Sequence, residues 1–348
     1  MERSSWSARL RTAHRERHPL PSHRSGERSG PYCTIEDPRA SPVGGIFVSE
    51  PQGERFTTSP SLEYSSPLTA VGMASQERSS FLPVSDGRIF YEVSGHGPAI
   101  VFIHAAIADR RMWEREFAVY GRDHTVVRYD VRGFGRSPPA TTGYSDVEDL
   151  RALLAHIGVR TATLVGCSNG GRIALDFAVE NPDKVEGLLL VSPGVSGFTA
   201  ELAPEGKPVF EQDGARSAHI PGAWKAGRKQ EALEALREYW TAAAEGANLE
   251  LVRTMMRENA EEIFTESSAS HNRSPDPPAV DRLGSISAPA LVLLGDRDEP
   301  SMTFIVRTVV RGIPHAKLVP VPGADHLVNL SRPADFDKAL RQLLKDVG

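Results

Sequence analysis

Beyond about Ser80, apolar residues fall into short β-branched runs separated by stretches of helical periodicity. Residues 81–84 and 88–93 flank Ser85-Asp86-Gly87, with Asp-Gly at the turn, and predict a hairpin. Four runs of strand length follow: Ala99–Ile103, Thr125–Tyr129, 161–165 and 188–191. Two more come late, at 290–294 and Ala316–Val321. Helical patterns separate most of them, as at Asp146–Ile157, and an amphipathic helix over 333–345 ends the chain. Strands alternating with helices imply parallel pairing and a sheet covered on both faces. The expected class is α/β, with a mostly parallel twisted sheet.

Residues 195–287 interrupt this alternation without a strand-like run. They predict two helices, over 223–243 and 248–264, inserted where strand C-termini end, a position that covers a site at that edge. The expected organisation is a core of 81–194 and 288–348 with a helical cap at 195–287. Residues 1–80 differ in kind. They are rich in Arg, Ser, Pro, Gly and His and hold no sustained period, the composition of a disordered extension. Two further readings apply there: an Arg- and Ser-rich transit peptide, or translation beginning at Met73, where pattern sets in soon afterwards.

Bulk composition narrows the function classes. The chain has 348 residues, 40% hydrophobic content and a formal charge of -5. That balance makes no electrostatic case for nucleic acid or an anionic membrane. No apolar run reaches the ~20 residues that span a bilayer, and no secretory leader is evident. The two cysteines, Cys33 and Cys167, do not form a disulfide framework, so a reduced, cytoplasmic setting is expected. No His/Cys/carboxylate cluster has metal-ligand spacing. No nucleotide-binding glycine motif occupies a strand-to-helix turn, so no cofactor is expected.

The candidate chemistry lies at Gly166-Cys167-Ser168-Asn169-Gly170, between a buried strand and an amphipathic helix. Such a turn forces its serine into strained dihedrals with the hydroxyl clear of the backbone. A serine needs a base, itself oriented by a third group. His326 follows the last strand in a loop before the final helix. Of the other histidines, His156 sits in a helix, His124 and His315 lie at strand starts, His271 lies in the inserted segment, and His104 directly follows a strand. The orienting acid belongs at a strand end between Ser168 and His326. The loop after 188–191 reads Ser192-Pro193-Gly194 and holds no carboxylate, which leaves Asp296 and Asp298. Asp298 is the better placed, because the loop must pass beyond its strand to reach the imidazole; Asp296 suits the turn. Acyl transfer also needs oxyanion donors, for which the backbone N–H groups of Asn169 and Ala106 are the candidates.

Six separated motifs occur in order: His104; Met112-Trp113; residues 130–137, reading DVRGFGRS; 166–171; 295–298; and 323–326. On them, the chain from about Phe81 resembles small, capped α/β-hydrolase-fold proteins. That group includes carboxylesterases, enol-lactonases, haloperoxidase-like perhydrolases and C–C bond hydrolases. The resemblance implies Ser168 as nucleophile, Asp298 as acid, His326 as base, and Ala106 and Asn169 as oxyanion donors. One departure is His104-Ala105, where such proteins usually have His-Gly; alanine tolerates positive φ poorly, so the loop is expected to take a different path. The expected activity is hydrolysis of a small carboxylic ester, lactone or related carbonyl substrate. C–C bond hydrolysis with the same residues is the enzymatic alternative, and a ligand-binding receptor on the same fold the non-enzymatic one. Cys167 is expected to pack beneath the elbow and Asp130 and Arg132 to brace their loop, while Trp113, Phe134 and Trp224 are pocket or core aromatics.

Overall fold

A computed structural model describes residues 77–348. The transit peptide, the start at Met73 and the extension up to residue 76 concern residues outside that range, while residues 78–80, placed in the expected extension, belong to the first strand, Arg78–Val84. The strands are β1 (Arg78–Val84), β2 (Gly87–Ser94), β3 (Ala99–Ile103), β4 (Thr125–Tyr129), β5 (Ala162–Cys167), β6 (Val185–Val191), β7 (Ala290–Gly295) and β8 (Ala316–Val321). They form one 8-stranded sheet in the order β1-β2-β4-β3-β5-β6-β7-β8. β1–β2 and β2–β4 are antiparallel, and every other pairing is parallel. The sequence expectation of a mostly parallel sheet entered by a hairpin therefore holds, with β1 beginning at Arg78.

The central strands β3 and β5 are buried along their whole length, which is why they read as unbroken apolar runs. β8 lies at the sheet edge, is largely open to solvent, and tolerates Pro320 because an edge strand leaves one row of backbone groups unpaired. Helices α1 (Glu114–Tyr120), α2 (Asp146–Ile157) and α3 (Asn169–Glu180) follow β3, β4 and β5 in turn. α3 packs on β3, β5 and β6.

Between β6 and β7 the chain is helical and holds no strand: α4 (Lys207–Ser217), α5 (His219–Lys225), α6 (Lys229–Trp240), α7 (Gly246–Glu258) and α8 (Ala260–Thr265). The sequence predicted two helices here, and the difference has local causes. α4 carries Pro208 and Gly214 and lacks a continuous apolar stripe, so its periodicity is weak. The expected helix over 223–243 breaks at Gly227, whose φ of +78 is left-handed. The one over 248–264 breaks at Asn259, whose side chain is drawn away to Gly135 N and Asp109 Oδ2 at 2.7 and 2.9 Å. After β7 come α9 (Met302–Gly312), α10 (Val328–Ser331) and α11 (Pro333–Val347), the last packed against β6 and β7. No helix among the described residues is long and apolar enough to cross a membrane.

One buried acid gives the fold a pH dependence. Glu116 in α1 is fully buried and meets Asn329 Nδ2 at 3.5 Å and Arg115 at 3.2 Å. Burial pushes its carboxyl up to about 7, its own backbone N–H and Arg115 offsetting only part. With a folded pKa above the ordinary 4.5, the fold is favoured while Glu116 is protonated. That contribution is lost as pH rises from about 4.5 through about 7. Glu116→Gln is expected to raise stability by up to about 3 kcal/mol near pH 8 and to change little near pH 4. Denaturant melts of both proteins across pH check this; an unchanged pH dependence in the variant contradicts it.

Candidate active site

β5 delivers the chain to Ser168 at φ 55 and ψ -113, outside the favoured regions for an L-residue, and α3 begins at the next position. Such backbone costs about 1–3 kcal/mol and persists only where its surroundings enforce it. Here Ser168 N donates to Val191 O at 2.9 Å, and its carbonyl accepts from Arg172 N at 3.1 Å and Gly194 N at 2.9 Å. The two flanking glycines are sterically required. A Cβ on Gly166 would stand 2.3 Å from Gly170 O, and one on Gly170 would stand 2.1 Å from Ile103 O. Those obstacles are backbone, of α3 for Gly166 and of β3 for Gly170, and cannot turn aside. Gly170→Ala is expected to destabilise the protein by at least about 1–3 kcal/mol, an overpacking cost. A thermal melt within one degree of the parent would contradict that geometry.

The loop after β8 brings in His326. Its Nδ1 lies 3.0 and 3.1 Å from Asp298 Oδ1 and Oδ2, in the loop after β7. Both side chains are nearly inaccessible to solvent. Nδ1–H donating to a carboxylate leaves the lone pair on Nε2, where a base needs it. Asp298 Oδ1 also accepts from Glu299 N at 2.7 Å, which fixes the carboxylate. Asp296 instead accepts from Gly323 N at 2.6 Å and braces the turn from an exposed position. The His326 carbonyl accepts from Cys167 Sγ at 3.5 Å, so the histidine loop rests on the strand end that carries Ser168. No hydrogen bond joins Ser168 Oγ to His326 Nε2 among the described residues; such contacts commonly tighten only with substrate in place.

Ala106 and Asn169 line one cavity with Ser168. Asn169 is the first residue of α3, where a backbone N–H has no intrahelical partner. Neither N–H donates to a protein acceptor among the described residues. Ala105 is not in a positive-φ conformation, so alanine fits where glycine was expected. His104 is buried and structural: Nδ1–H donates to Ala105 O at 2.8 Å and Nε2 accepts from Val131 N at 2.9 Å.

The cavity measures about 520 Å³, and its other lining residues include Phe134, Tyr144, Arg172 and Asn272. Of the three aromatics considered from sequence, only Phe134 faces it. Trp113 packs in the core on Phe102 and Phe336, at 5.3 and 5.7 Å between ring centroids, and Trp224 stacks on Phe264 at 4.2 Å. Cys167 is fully buried, and burial, with Asp298 and Asp325 nearby, pushes its thiol well up, so it is no thiolate. Asp130 accepts from Arg110 and Arg136 and ties its loop locally. Arg132 reaches farther, pairing with Asp149 at 2.6 Å and bonding the carbonyls of Ser85 and Asp86 in the hairpin turn.

Sequence reasoning missed a buried ionic network under the elbow. Arg172 donates to Asn169 Oδ1 at 2.9 Å and Asp176 Oδ2 at 2.8 Å, and pairs with Asp146 at 2.5 Å. Ser196 Oγ donates to the other Asp176 oxygen. Burial raises the Asp176 carboxyl, with Arg172 pulling the other way. The spacing of Asn169, Arg172 and Asp176 places all three on one helix face, a signal present in the sequence. Among the described residues no group of three or more His, Cys, Asp or Glu is placed to hold a metal ion.

Comparison with known proteins agrees with this architecture. An uncharacterised protein of Mycobacterium tuberculosis is 33% identical over 125 residues, and the match spans 35% of this chain and 36% of that protein. A non-heme haloperoxidase of Rhodococcus erythropolis is 28% identical over 263 residues, covering 71% of this chain and 92% of its own. The crystal structure of an enol-lactonase from Burkholderia xenovorans superposes with a TM-score of 0.58 at 20% identity, covering 76% of this chain and 100% of that one. The profile of the alpha/beta hydrolase family matches residues 100–339. By that match and by the sheet that carries Ser168, this chain belongs to the α/β-hydrolase family.

Proposed function

We propose that the protein hydrolyses a small carboxylic ester or lactone through an acyl-enzyme. The observation that carries this reading is the strained Ser168 after β5, with a buried His326–Asp298 pair 3.0 Å apart whose histidine carbonyl accepts from the neighbouring Cys167 Sγ at 3.5 Å. Ser168 Oγ attacks the carbonyl carbon while His326 Nε2 takes its proton. The negative charge that develops on the carbonyl oxygen falls to the N–H groups of Ala106 and Asn169, each such donor being worth on the order of 10²–10³ in rate. Collapse of the tetrahedral species breaks the C–O bond, and His326 returns the proton to the leaving oxygen. Water then attacks the acyl-enzyme with His326 again as base, releasing the acid and restoring Ser168. Asp298 holds the imidazole tautomer throughout. Residues 195–287 serve as a cap, since Glu262, Ser270 and Asn272 from this segment line the cavity beside Ser168.

A further inference from the structure

A second cavity lies on the imidazole side of the site and plays no part in the steps above. It holds about 770 Å³, and its buried wall is formed by Phe210, Ile220, Leu236 and Met302, with Trp240 and Ile305. Its charged lining residues Glu201, Lys207 and Glu211 are exposed to solvent. The remaining carboxylate, Asp213, is buried but occupied, accepting from Ser301 N at 2.9 Å and facing Arg216 at 3.6 Å. The interior therefore offers a ligand mainly apolar surface, with Trp240 Nε1–H, unpartnered among the described residues, and the Tyr239 hydroxyl as its polar points.

This chamber meets the site at two points. Ile305 lines both cavities, so the two adjoin. Trp240 packs its ring on His326 with centroids 4.3 Å apart, while its carbonyl accepts from His326 N at 3.2 Å. The chamber around Ser168 sets free polar groups among its own apolar residues, which include Val131, Phe134, Val195, Phe198 and Ile263. Tyr144 Oη, Asn169 Nδ2 and Asn272 Nδ2 lie on residues that line it, and none of these groups has a protein acceptor among the described residues. Free donors favour a ligand rich in oxygen acceptors, and an apolar wall favours hydrocarbon. Both volumes fall in the ~300–1,000 Å³ range of small-molecule sites.

We propose, resting on the hydrolase reading, that the substrate is an ester of an oxygenated acid with an alkyl or aryl alcohol. The acyl half, bearing hydroxyl or carbonyl oxygens, sits with Ser168, and the alcohol half fills the apolar chamber. The orientation follows from the proton. The leaving oxygen must receive it from His326 Nε2, and Trp240, a wall of the apolar chamber, is stacked on that ring. Cleavage forms the Ser168 Oγ–acyl bond, breaks the acyl–oxygen bond and releases the alcohol; water then releases the hydroxy or oxo acid.

Two ester series test this: lactate esters of ethanol, butanol, hexanol and octanol, and ethyl esters of unsubstituted acids of matching carbon number. Each methylene added to the alcohol is expected to raise kcat/KM by about fourfold until the chamber is full, and the acyl series is expected to stay nearly flat. Leu236→Trp, which fills the chamber, is expected to lower the octyl-to-ethyl lactate ratio at least about tenfold. Ile220→Trp fills it from a different helix if the first variant does not fold. Equal slopes in the two series, a steeper acyl series, or an unchanged ratio in both variants overturns the proposal and leaves the hydrolase reading standing. Absence of cleavage of every ester, together with no reaction of Ser168 with a fluorophosphonate, overturns the hydrolase reading itself.

Discussion

Replacing Ser168 with alanine is expected to lower turnover of a simple aryl ester at least ~10³-fold while the protein keeps its fold. The variant loses the oxygen that forms the acyl bond, and nothing else at the elbow can take its place. Cys167 is buried with its thiol against the His326 carbonyl, and its Sγ is held as a donor at 3.5 Å. The hydroxyl does not cap α3, so its removal takes no structural bond with it. Alanine bears the same strained φ as the serine it replaces, and the melting temperature is expected to stay close to that of the parent. Steady-state rates and melts on one preparation check both halves. Near-normal turnover in a folded variant would remove Ser168 from the mechanism.

Asp298→Asn carries the second large effect, a fall in kcat on the order of 10⁴. The carboxylate accepts Nδ1–H of His326 at 3.0 Å. An amide in its place can donate to Nδ1 instead, which moves the proton to Nε2 and leaves no base facing Ser168. Asp296→Asn is the control, because among the described residues the Asp296 side chain accepts from Gly323 N alone, at 2.6 Å and in contact with solvent. It is expected to stay within a few-fold of the parent. A reversed pair of effects would assign the orienting acid to Asp296.

How much of this was legible in the chain depends on where each signal resides. The strands were readable because a parallel strand buried on both faces must be apolar throughout, as β3 and β5 are. Ser168 was readable because the elbow demands glycine at two fixed positions, where backbone of α3 and of β3 stands in the way of a Cβ. His326 and Asp298 followed from chain order and from the absence of a carboxylate after β6. The helices between β6 and β7 were half legible, because their ends are set by tertiary contacts, such as those drawn to Asn259, more than by periodicity. The Arg172–Asp146–Asp176 network was missed for a related reason. A charged residue on a helix reads as a solvent face, and only the fold reveals that this face is turned inward. At His104-Ala105 no residue takes positive φ, so alanine is compatible with the conformation that the loop adopts.

Of the two cavities the sequence showed only the covering segment 195–287 and Phe134 as a pocket candidate, not their shape or their other walls. Their walls draw on the loops after β3, β4 and β6, on α3 and α9, and on the helices between β6 and β7. Residues such as Phe134, Asn272 and Ile305 become neighbours only after those segments fold together. Substrate selection would belong to that assembly, whereas the proposed chemistry rests on Ser168, Asp298 and His326, whose order along the chain pointed to them.

Everything proposed about reaction rests on Ser168 being an activated nucleophile, and one measurement addresses that directly. The intact protein is treated with a fluorophosphonate, digested, and its peptides mapped by mass spectrometry, with His326→Ala run in parallel. The account predicts a single stoichiometric adduct on Ser168 and labelling slowed at least about a hundredfold in the variant. An unlabelled Ser168 in folded protein, or equal labelling with and without His326, would contradict it.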